Sequence, residues 1–117
     1  MHKILRSVLA AALCVSAGVA HSDLLVKDYK KTKDQQGTKL YVLGVGNGMG
    51  WSNVMIKFKD TNAGLYCAPT NFVFVADNFI NFVDAEIERR NLKDTDDTPI
   101  ELILLSSLQR NFPCEKQ

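Results

Sequence analysis

Two stretches of this chain carry a helical hydrophobic rhythm, and a third carries one that two structures could share. Phe72, Val75, Ala76, Phe79, Ile80, Val83 and Ile87 recur at i, i+3, i+4 and i+7, with Asp77, Asn78, Asn81, Asp84, Glu88 and Arg89 on the opposite side. This predicts a helix over 72–87 with Pro69 at its entrance. Ile100, Leu104, Leu108 and Phe112 form a second stripe, flanked by Ile103 and Leu105 and stopped by Pro113. Thr98-Pro99-Ile100-Glu101 reads as a capping box opening that helix, with Pro99 at the first helical position. Between the two lies a polar loop, Asn91–Thr98. Residues 23–36 are polar apart from Leu24, Leu25, Val26 and Tyr29, which fits a short helix or a loose arm.

The ambiguous stretch is 41–50, Tyr-Val-Leu-Gly-Val-Gly-Asn-Gly-Met-Gly. Each glycine costs a helix about 1 kcal/mol against alanine, which favours a strand and a glycine loop. Tyr41, Val45, Gly48, Ser52 and Met55 nevertheless fall on one helical stripe, where small residues let two helices approach closely. A glycine-rich buried helix is the preferred reading. A dinucleotide fingerprint needs glycine at its first, third and sixth positions, but the sixth is Met49 counting from Gly44 and Trp51 counting from Gly46.

The N-terminus changes the picture. Met1–Arg6 is short and basic, and Val8–Ala20 is apolar or small over about 13 residues, against the roughly 20 that span a bilayer. Small residues follow, with cleavage points after Ala20 or Ser22. The expectation is a secretory signal over 1–22, an exported domain over 23–117 and no membrane anchor. Cys14 follows Leu13, where a lipoprotein signal needs a small residue. Of 14 Lys and Arg, removal of Lys3 and Arg6 leaves 12 against 13 Asp and Glu, so nothing suggests nucleic acid. Lys27, Lys30, Lys31, Lys33 and Lys39 cluster as a solvated face or a docking site for an acidic partner.

Cys67 and Cys114 remain, and an exported pair is expected to be bonded; a free pair or a metal site is the alternative. The bond would close one end of an antiparallel helical pair. The fold expected is all-α, a bundle of about four helices with one disulfide.

Chemistry is sparse. The only histidines, His2 and His21, lie in or beside the signal, so no Ser-His or Cys-His pair and no Cys/His metal site is expected within the domain. Asp94, Asp96 and Asp97 lack the spacing of a calcium loop. Asp84, Glu86 and Glu88 read as a charged helix face, and Phe72, Phe74, Phe79 and Phe82 as core. The expectation is a binding module without catalytic residue, cofactor or metal.

Three motifs in concert resemble a known family. Tyr41-Val42-Leu43-Gly44-Val45, Tyr66-Cys67-Ala68-Pro69 and Leu108-Gln109-Arg110-Asn111-Phe112-Pro113-Cys114 look like the Tai-type (Rap/Tai) immunity proteins of bacterial type VI secretion, over about Leu40–Cys114. The resemblance implies a periplasmic all-α domain, often a homodimer, that binds and blocks a peptidoglycan amidase effector without chemistry of its own. It also favours the helical reading of 41–50. The family's contacts include the last helices and the loop joining them, here Asn91, Lys93, Asp94, Thr95, Asp96 and Asp97. A small periplasmic acid-stress chaperone with one disulfide is the rival expectation.

Overall fold

The computed structural model describes residues 23–91 and 95–115. The expected signal, residues 1–22, and the loop residues Lys93 and Asp94 lie outside them. Four helices follow one another: α1 (Val26–Thr32), α2 (Gln36–Lys59), α3 (Ala76–Arg90) and α4 (Ile100–Asn111). The fold is all-α, with no strand among the described residues.

α3 and α4 form the centre. α3 buries Phe79, Val83 and Glu86, and α4 buries Ile100, Ile103, Leu104, Ser107 and Leu108. Glu86 meets Arg110 while Arg90 meets Ser106, so the two helices run antiparallel. α3 begins at Ala76, later than the expected start, and Phe72 and Val75 precede it exposed. Asn78 holds that start by accepting the Val75 N–H at 2.8 Å, and Asn91 ends the helix in the left-handed region at φ 40°.

The expected capping box does not form. Pro99 is the N-cap of α4, with no side-chain cap. Residues 24–26 pair instead with the chain before α4: the Val26 N–H donates to the Thr98 carbonyl and the Ile100 N–H to the Leu24 carbonyl, both at 2.9 Å. Glu101 is drawn away by the Tyr41 hydroxyl, which donates to its carboxylate. The same pairing seats α1, whose Val26 and Tyr29 enter the core.

α2 is a helix throughout, about 36 Å long at 1.5 Å per residue for its 24 residues. Its buried positions are Val42, Gly46 and Asn53. The predicted stripe is therefore displaced: Tyr41, Gly48, Ser52 and Met55 are exposed. Gly46 alone in 44–48 makes a close approach, since a Cβ there would lie 2.4 Å from the Phe79 ring, while Gly44 and Gly48 have nothing within 4 Å.

Residues 60–75 have no regular structure, and three anchors hold them. Cys67 and Cys114 are bonded, and the Cys67 N–H donates to the Phe112 carbonyl at 2.8 Å. Asn53 of α2 donates to the Tyr66 carbonyl at 2.8 Å and accepts the Leu65 N–H at 2.7 Å. Phe74 packs on Phe72, Phe79, Phe82 and Phe112 with centroids 5.1–5.8 Å apart. The disulfide thus ties α4's exit to this segment, nine positions before α3, rather than to α3's entrance.

Candidate binding surfaces

The acidic loop and the basic cluster meet each other. Lys27 reaches Asp97 at 2.9 Å, Lys30 reaches Asp96 at 2.8 Å, Lys33 reaches Asp84 at 3.3 Å and Lys39 reaches Asp77 at 3.9 Å. These pairs are largely exposed, so each contributes about 0–1 kcal/mol. They still settle where the charges go: Asp96 and Asp97 face solvent with a lysine already beside each. Thr95 is buried, and Asn91 is exposed at the α3 terminus. The Tyr29 hydroxyl donates to Asp84 at 2.8 Å, and burial, then Asp84, push that phenol up.

Glu86 is not on a solvated face. Its side chain is 1% exposed and accepts from three guanidinium groups: Arg89 at 2.9 and 3.1 Å, Arg90 at 3.0 Å, and Arg110 at 3.1 and 3.2 Å. Arg89 foremost, then Arg110 and Arg90, hold its carboxyl down to about 2 from an ordinary 4.5, although burial pushes the other way. Three cations around one carboxylate form a clamp between α3 and α4. Sequence spacing shows the Glu86–Arg89 and Glu86–Arg90 helix pairs but not Arg110.

The surface that sequence reasoning missed is apolar. A groove of about 520 Å³ runs between the second half of α2 and residues 66–74, walled by Trp51, Val54, Phe72 and Val73 and floored by Phe79 and Tyr66. Its rim projects into solvent: Trp51 is 72% and Val73 82% exposed, and Phe58, further along α2, is 86% exposed. Among the described residues, Lys57 is the only charged side chain in its lining. Trp51, Val54 and Phe58 sit at i, i+3 and i+7, a signal available in the sequence but outside the stripe expected to be buried. Large exposed apolar patches on small domains mark interaction sites.

Among the described residues, no three His, Cys, Asp or Glu side chains gather as a metal site requires, and no helix is long and apolar enough to cross a membrane. Set against known protein families, curated proteins and solved structures, the chain matches none.

Proposed function

We propose that this chain is an exported binding protein that blocks a peptidoglycan amidase effector of type VI secretion, protecting the cell that makes it. The observation that carries the binding part is the apolar groove and its exposed rim, Trp51, Val54, Phe72 and Val73. The amidase as partner rests on the three motifs that resemble those of Tai-type immunity proteins, the last of which ends α4 and supplies one cysteine of the bond. The exposed carboxylates of Asp96 and Asp97 belong to the same proposal as a second contact, steering association toward a basic cleft rim.

The test is a titration of the mature, oxidised protein against the amidase encoded beside it, following stem-peptide release from peptidoglycan. Inhibition complete near one equivalent is expected. Lack of such a neighbouring amidase, or undiminished release at tenfold excess, would sink the reading. A small disulfide-bonded chaperone is the second reading, favoured by the same exposed Trp51, Phe58 and Val73. It predicts suppression of aggregation for many unrelated acid-denatured proteins, which a dedicated inhibitor would not show.

A further inference from the structure

Tyr66 is 4% exposed, yet no donor or acceptor among the described residues meets its hydroxyl. The oxygen is not sealed in the core: among the described residues Glu101 supplies the only enclosed side-chain atom without a partner, and Tyr66 lines the groove, with its hydroxyl 3.6 Å from where a Gly50 Cβ would stand. Burial pushes this phenol up, so it stays a donor.

A second unmatched donor lies along the same groove. Lys57 is half-buried, its stem passing Gly64, and no carboxylate pairs with it among the described residues. Gly50 and Lys57 are seven positions apart on α2, which is about 10 Å along the axis. An extended chain covers that distance in about three residues.

We propose that the groove docks an extended apolar segment of a partner protein, with a backbone carbonyl accepting from the Tyr66 hydroxyl and a carboxylate side chain about three residues away meeting Lys57. Trp51, Val54, Phe72 and Val73 take its apolar side chains. The charge match selects the occupant: the groove carries a cation and no carboxylate, so it favours an acidic segment over a basic one. A protein rather than a small ligand fits, because the apolar rim continues past the groove, as the core of an interface does. The inference rests on the reading of the chain as a binding protein and specifies what the partner must present.

The test is panning of a displayed 12-residue peptide library on the oxidised mature protein. Enriched peptides should combine large apolar residues with an Asp or Glu. Trp51, the chain's one tryptophan, should report their saturable binding by a blue-shifted emission. Lys57→Glu should turn the selected charge to Lys or Arg, Tyr66→Phe should weaken binding about fivefold, one hydrogen bond's worth, and Val54→Asp should abolish it. Thermal unfolding of each variant controls for folding. Charge-indifferent peptides, peptides that leave Trp51 unmoved, or a concentration-dependent Trp51 shift without peptide would overturn the proposal, the last by assigning the face to a second copy. Peptide docking without amidase inhibition would fell the immunity reading alone. Amidase inhibition unaffected by Val54→Asp would fell the groove assignment alone.

Discussion

Alanine substitutions at Gly44, Gly46 and Gly48 put the packing of α2 to a sharp test, because three near-identical sequence positions meet two different surroundings. In an open helical site, glycine to alanine stabilises by about 1 kcal/mol through the unfolded chain's lost freedom. Gly44 and Gly48 are such sites, with nothing within 4 Å of an added Cβ. At Gly46 the added methyl would lie 2.4 Å from the Phe79 ring. That ring is 1% exposed and packs against Phe74 at 5.2 Å, so it has little room to withdraw. Overpacking of this kind costs about 1–3 kcal/mol, which cancels or exceeds the propensity gain. Gly46→Ala should therefore unfold more easily than Gly44→Ala by about 1–3 kcal/mol, and each kcal/mol moves the midpoint of a domain this size by about 4–8 °C. Far-UV circular dichroism in urea and on heating reads both quantities. Adding Phe79→Leu to Gly46→Ala should recover part of the loss, a coupling that a double-mutant cycle isolates. Equal stabilisation at all three positions would refute the close approach of α2 and α3. Destabilisation by Gly44→Ala would refute its open surroundings.

Reduction of Cys67–Cys114, or serine at both, should cost roughly 4 kcal/mol for a closed loop of this length, seen as a lower urea midpoint with and without dithiothreitol. An unchanged midpoint would mean the 60–75 segment is held by Asn53 and the phenylalanines alone. Glu86 has a folded pKa below its unfolded one, so its contribution is whole above about 4.5 and is lost as pH falls toward about 2. That contribution is at most about 3 kcal/mol, and less because Arg89 and Arg110 are half exposed. Stability of Glu86→Gln should vary less with pH between 4.5 and 2 than that of the unaltered chain; parallel profiles would remove the clamp. Asp96→Lys and Asp97→Lys should each cost less than about 1 kcal/mol of stability, since the pairs they break are exposed. A larger loss in chemical denaturation would show that the loop holds α1 more firmly than its salt bridges suggest.

Much of the fold is legible from spacing. The stripe Phe79, Val83 and the stripe Ile100, Leu104, Leu108 are buried where period 3.6 puts them, and two cysteines in an expected exported chain pair as chemistry favours. The face of α2 is not legible, because hydrophobicity ranks Tyr41 and Met55 above Gly46 and Asn53. The interior chose otherwise: only hydrogen fits against Phe79 at position 46, and Asn53 supplies both a donor and an acceptor to the backbone of 65–66. Such choices depend on a neighbour distant in sequence. The capping box failed for the same reason. Thr98 and Glu101 are correctly spaced for it, but the Thr98 carbonyl pairs with the Val26 N–H, Pro99 becomes the N-cap, and the Glu101 carboxylate accepts from the Tyr41 hydroxyl. The groove is assembled from α2, Tyr66 and the 68–74 segment, so no single window of sequence contains it.

The two candidate surfaces differ in what docking would replace. At the loop, Asp96 and Asp97 already have lysines, so a partner's cations exchange one exposed ion pair for another. An exchange of near-equal terms adds little affinity, but the field of the carboxylates still guides encounter and excludes acidic partners. At the groove, nothing needs to be given up. Trp51 and Val73 stand in water, the Tyr66 hydroxyl and the Lys57 ammonium have no partner among the described residues, and covering them converts exposed apolar area and unmatched donors into contacts. Burial of one tryptophan and one phenylalanine removes on the order of 150–250 Å² each, and such anchors dominate interface energies. Affinity should therefore reside at the groove and association rate at the loop. On that division, Val54→Asp acts chiefly on the dissociation rate of the complex, whereas Asp96→Lys acts chiefly on its association rate and on the dependence of that rate on salt.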